Sequence, residues 1–169
     1  MPSHRSLVFM LCFVFLVSSR FVYGGSESRG YSMNQPVTGK GWTITVVSAK
    51  NAGAEIMERC NLDTVTLKPS NPESYLLRLK VNLKSLDKES VGGRYIVDAL
   101  VRDSKGNKYP CSAVGVSGCY VDFRKGIKEA VAYPMNSEVT VDYIFSIPNQ
   151  IKIVDFIWNG TSPALLKVE

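Results

Sequence analysis

The chain has 169 residues, 20 Lys and Arg against 15 Asp and Glu, and a formal net charge of +5. That length fits one domain with a sizeable core that needs no cross-links to fold. The basic residues are spread singly, with no run of three, which excludes the dense patch of a nucleic-acid binder. The lone histidine, His4, lies in an N-terminal leader, so imidazole-based triads and zinc sites are excluded from everything after it.

The leader comes first. His4 and Arg5 precede an unbroken apolar run from Leu7 to Val17. The run is shorter than the roughly 20 apolar residues a bilayer span requires. A basic start, a short apolar stretch and the small-residue exit Val22-Tyr23-Gly24 make a secretory signal peptide over 1–24, cut after Gly24. Its loss takes Arg5 and Arg20 and leaves 18 basic against 15 acidic side chains, a net charge of +3. Cys12 lies inside the apolar run, so it is no lipid anchor. The expected address is secreted or extracellular, or periplasmic or cell-surface in a bacterium, with no membrane span after cleavage.

Residues 25–40 are rich in Gly, Ser and polar side chains and read as a flexible leader ending in a short edge strand at Pro36–Thr38. The domain then runs over 41–169. Trp42 to Val47 alternates, with Trp42, Ile44 and Val46 on one face. Residues 52–60 are ambiguous between a helical turn and an irregular strand. Val65 and Leu67 suggest a short strand stopped by Pro69 and Pro72. The clearest strand is 75–83, with Tyr75, Leu77, Leu79, Val81 and Leu83 on a buried face and Arg78, Lys80, Asn82 and Lys84 on a wet one.

Tyr95 to Val101 is the next strand. It closes on Asp103-Ser104-Lys105-Gly106-Asn107, a hairpin turn in which Asp binds its own backbone and Gly accepts positive φ. A calcium loop would need more oxygen ligands and a distal Glu, and Lys105 stands where a ligand should. The Gly- and Ser-rich stretch from Cys111 to Cys119 reads as a loop carrying a disulfide, and Tyr120 to Lys125 as a short edge strand. Residues 126–133 read as weakly helical or loop. Val139 to Ile147 and Ile151 to Trp158 are two strong strands, and Pro163 to Val168 a last candidate. Asn159-Gly160-Thr161 is a glycosylation sequon at an expected turn.

The pattern predicts an all-β chain, an immunoglobulin-like antiparallel β-sandwich of seven to nine strands, with a closed barrel as the alternative. Three cysteines follow the leader: Cys60, Cys111 and Cys119. Two are expected to pair and one to remain. All three pairings stay open, Cys111–Cys119 being nearest in sequence.

Three segments carry a family resemblance. They are the strand YLLRLKVNLKSL, the D-x-x-G-x-x-Y hairpin of Asp103, Gly106 and Tyr109, and the strand VTVDYIFSIP followed at once by another. Their order resembles the telokin-like, immunoglobulin-like domains of unknown function on bacterial extracellular proteins and lipoproteins, over residues 40–160. The chain departs from them in lacking a lipid-anchor cysteine and in having Pro134-Met135-Asn136 where a Gly-rich turn is usual. The resemblance implies a fold and an export address and no activity. An antibody-type domain fits less well. Tyr109-Pro110-Cys111 supplies its Tyr-x-Cys, with Cys60 as partner, but no Trp lies between those cysteines.

Asp98, Asp103, Asp122, Asp142 and Asp155 are the candidate carboxylates. Asp142 and Asp155 fall on consecutive strands and would face each other for acid–base work, or lie on solvated faces answering lysines. The balance points to a secreted, non-enzymatic binding module that contacts a protein or glycan through its loops. The Cys111–Cys119 loop is its first candidate surface, and Trp158, with Phe156 and Tyr143, a candidate interface. The alternative is a structural subunit of a surface assembly, joined by the odd cysteine as a disulfide-linked dimer or by an edge strand. A two-carboxylate hydrolase stands third. No cofactor, metal or nucleic acid is expected.

Overall fold

The computed structural model describes residues 30–39, 41–86, 99–122, 138–158 and 163–169. The leader 1–24, Asp98, the Pro134-Met135-Asn136 turn and the Asn159 sequon lie outside these residues.

The described residues form twelve strands, more than the seven to nine expected, because hairpins and edges are shorter than sequence periodicity resolves. The main sheet contains β1 (Val37–Gly39), β2 (Trp42–Asn51), β5 (Ser74–Ser85), β10 (Glu138–Pro148), β8 (Ala113–Val116) and β9 (Cys119–Asp122), side by side in that order. The second sheet is β12 (Ala164–Leu165), β11 (Ile153–Trp158), β6 (Ala99–Asp103) and β7 (Lys108–Pro110). A separate hairpin joins β3 (Ile56–Cys60) to β4 (Asp63–Leu67). Every strand pairing is antiparallel. The facing orders β2-β5-β10-β8 and β12-β11-β6-β7 are those of an immunoglobulin sandwich.

The alternation of β5 sets the interior. Leu77, Leu79, Val81 and Leu83 are fully buried and meet Val141, Tyr143, Phe145 and Ile147 from β10 in one core. Each such side chain is worth about 1.5–3 kcal/mol of burial. Trp158 belongs to this core and is no interface. It is 0% exposed, its Nε1 donates to the Tyr143 hydroxyl at 2.8 Å, and it packs edge-to-face with Trp42, ring centroids 5.9 Å apart. The edge strand expected at Pro36–Thr38 is β1, which pairs with β2 and places Val37 in the core, so the end of the segment read as leader belongs to the domain.

The ambiguous stretch 52–60 resolves into β3. The hairpin lies on the outer face of the main sheet, where Ile56 and Leu67 close a second small core on Leu76, Ala113 and Ile144. Asn61 takes a left-handed conformation in its turn (φ 56°). The Cys111–Cys119 stretch is likewise no stapled loop. It is the β8–β9 hairpin, turned through Ser117 and Gly118, both at positive φ, the pattern of a tight two-residue hairpin turn. The disulfide is Cys60–Cys119, which joins the tips of the two hairpins across 59 residues of chain.

Candidate functional site

The two carboxylates singled out from the sequence are neither paired with each other nor solvated. Asp142 is on β10 and Asp155 on β11, in opposite sheets, and both are buried. An arginine holds each. Arg102 Nε donates to Asp155 Oδ1 at 2.9 Å and its Nη2 to Oδ2 at 2.6 Å, a two-point clamp. Arg78 Nη2 donates to Asp142 Oδ2, which also accepts from the Tyr120 hydroxyl at 3.0 Å. Arg78 Nη1 reaches Glu58 of the β3–β4 hairpin at 2.7 Å. Burial works to lower the Arg78 pKa, but its bonds to Asp142 and Glu58 outweigh that and raise it. Burial, then the Asp142 charge, pushes the Tyr120 phenol up. The cluster therefore fixes charges in place and clamps the hairpin to the sheet. Arg78 Nε and Asp142 Oδ1 are buried without a partner among the described residues.

Asp103 acts as a turn organiser. Its Oδ1 accepts from the backbone of Lys105 and Asn107 at 2.8 and 2.9 Å. Its Oδ2 accepts from Asn107 Nδ2 and the Tyr109 hydroxyl. These bonds, the Asn107 side chain first, lower its pKa. No group of three or more metal-ligating side chains occurs among the described residues.

Cys111 is the thiol left over. It is buried in the core with Sγ donating to the Ala113 carbonyl at 3.1 Å. Burial pushes its pKa up to about 12. A joint between chains through this sulfur would require the core to open.

The arrangement best suited to a ligand lies at one end of the sandwich, where β2 and β10 finish and β5 and β11 begin. Pro148 ends β10, and its carbonyl accepts from Ile151 N at 2.9 Å, which closes a turn with Asn149 and Gln150 at its apex. Residues 166–169 cross between the sheets: Leu166 N donates to Val154 O on β11, and Glu169 N to Ala49 O on β2. Between this strap and the turn is a cavity of about 420 Å³, lined by Asn51, Tyr75, Lys152, Leu166 and Lys167 among others. A second, of about 510 Å³, lies on the other side of the turn against Asn71, Glu73 and Gln150. Both are lined by Asn149 and Ile151, so the turn is a wall common to two adjacent lobes of one end surface. Each lobe has the size of a small-molecule site. The Tyr75 hydroxyl donates to the Ile151 carbonyl at 3.4 Å, and burial, then Tyr109, raises its pKa.

Sequence reasoning missed this groove. Its residues come from positions 51, 71–75, 149–153 and 166–168, and no local motif joins them.

No protein-family model matches the chain, and no curated protein matches its sequence. Two solved structures match it in fold. An uncharacterized beta-sandwich protein from Clostridium difficile 630 is 10% identical, over 83% of this chain and 97% of that one, with a TM-score of 0.60. A conserved hypothetical protein from Bacillus anthracis is 13% identical, over 81% and 95% of the two chains, with a TM-score of 0.54. At such identities the likeness is one of fold alone: the chain is an all-β, immunoglobulin-like sandwich of the architecture these two bacterial proteins share.

Proposed function

We propose that the chain is a secreted, non-catalytic binding module that takes a protein segment or glycan in the groove at the end of its sandwich. The observation that carries this reading is a pair of adjacent cavities, of about 420 and 510 Å³, that share Asn149 and Ile151 as a common wall. A concave surface with an apolar wall and a few convergent polar groups is the common form of a binding site. The arginine-clamped Asp142 and Asp155 support a non-catalytic role, because each is engaged in a structural ion pair and neither lines the end cavities. The Cys60–Cys119 disulfide supports an oxidising compartment.

The test is an amide-resolved NMR titration of the isotope-labelled protein against a panel of oligosaccharides and peptides. The expected result is that a ligand moves the amides of Asn149, Ile151, Lys152 and Lys167 together. Shifts confined to the Leu62 and Ser117 hairpin tips, or no shift with any member of the panel, would refute the groove as the site.

A further inference from the structure

We infer that the ligand of the end groove is an acidic oligosaccharide, with a sugar carboxylate between Lys152 and Lys167 and neighbouring hydroxyls along Asn149, Gln150 and Glu73. The inference rests on the binding-module reading and adds the ligand's chemistry.

The main chain is poorly suited to one class of ligand. A peptide that adds a strand needs free backbone donors and acceptors along an edge. Five of the N–H groups around this groove are already engaged. Asn51 N donates to Glu169 O, Ser74 N to Asn71 O, Asn149 N to Glu73 O and Ile151 N to Pro148 O. Lys167 N is directed at Met33 Sδ. Recognition falls mainly to side chains, among them the amides of Asn51, Asn149 and Gln150 and the amines of Lys152 and Lys167, groups that pair with hydroxyls and carboxylates.

The side chains are donor-rich in the lobe lined by Lys152 and Lys167. Neither lysine has a carboxylate partner among the described residues. Asn51 uses its Oδ1 to accept from Gly53 N at 2.9 Å, which leaves its –NH₂ to donate. Asn71, in the other lobe, does the same with Glu73 N at 2.9 Å. That second lobe has Glu73 as its acidic group, so a ligand carboxylate is repelled there and directed toward the lysines. Glu73 accepts from uncharged hydroxyls instead. The two lobes suit two or more linked units, one charged and one neutral in contact. Ile151 and Leu166 give the apolar surface on which the C–H face of a sugar ring rests.

The probes are a galacturonic acid trisaccharide, the same trisaccharide fully methyl-esterified, and a tetraglutamate peptide, each titrated by calorimetry and by amide shifts. The trisaccharide is expected to bind in the groove, weakening as salt is added. The ester and the peptide are expected to bind at least about tenfold more weakly. Lys152→Gln and Lys167→Gln are each expected to weaken the trisaccharide by about two- to fivefold, the range for an exposed ion pair. Both lysines are exposed, and an unchanged amide spectrum confirms the fold. Equal binding of acid and ester, or preference for the peptide, overturns the inference and leaves the groove as a site. A groove occupied only by a neutral sugar from the wider panel does the same. No groove shift with any ligand overturns both.

Discussion

Replacing both bridged cysteines, Cys60→Ala with Cys119→Ala, tests how the two hairpins are held. The cross-link closes a loop across a sequence separation of 59. Loop-closure entropy for that length gives a loss of about 4 kcal/mol on removal. Domains of this class have a total stability of about 5–15 kcal/mol, so the loss takes a large share of it. It corresponds to a fall in Tm of about 10–20 °C. Urea unfolding followed by tryptophan fluorescence is a direct assay, because Trp158 is buried in the main core. The midpoint is expected to fall, and the slope m to rise, because the freed denatured chain exposes more surface. A loss below about 1 kcal/mol with unchanged m would refute this account. The bridge would then act only as a local latch on the β3–β4 hairpin.

Three further outcomes follow from described contacts. Asp142→Ala removes one of the two carboxylates that hold Arg78, whose side chain is only 23% exposed, and frees the Tyr120 hydroxyl, and is expected to cost about 2–4 kcal/mol, whereas Asp63→Ala on the exposed hairpin turn stays within about 0.5 kcal/mol; paired urea curves check this. Cys111 is expected to resist a thiol reagent at pH 8 and to react with one equivalent once urea unfolds the chain. Its folded pKa is raised to about 12, so its contribution to stability is full below the unfolded value and is lost as pH rises through the folded one. Cys111→Ala should therefore flatten the fall in urea midpoint between about pH 9 and 12, part of which Tyr75 and Tyr120 share with the same sign. Gly118→Ala places a Cβ 2.8 Å from the Arg59 carbonyl oxygen at φ +82°, while Gly53→Ala at φ +77° meets nothing within 4 Å. Thermal unfolding should show a loss of about 1 kcal/mol at Gly53 and about 2–3 kcal/mol at Gly118.

Strands with one wet and one dry face were legible in the sequence. β5 alternates from Leu77 to Lys84, the inward residues Val141, Tyr143, Phe145 and Ile147 of β10 keep the same period, and the turn at Asp103-Gly106 has the side chain and the φ +84° glycine its chemistry predicts. The β3–β4 hairpin was not legible, because it covers the outside of a sheet and only Ile56 and Leu67 on it are fully buried. Its Asn61 turn was the available signal. Asp142 misled for a related reason: its place in the alternation is the outer face, which is normally wet, but Tyr120 and the hairpin cover that face. The groove was illegible because turns and a strap from four distant parts of the chain assemble it.

The burial of Cys111 bears on how the chain acquires its correct bridge. Cys119 arrives long after Cys60, and Cys111 is only eight positions ahead of it. In a reduced, unstructured chain the short Cys111–Cys119 loop closes most readily. With β8 paired to β10, Cys111 sits among the core side chains. In the assembled sheet it is out of reach of exchange, so the Cys60–Cys119 bond faces no accessible competing thiol among the described residues.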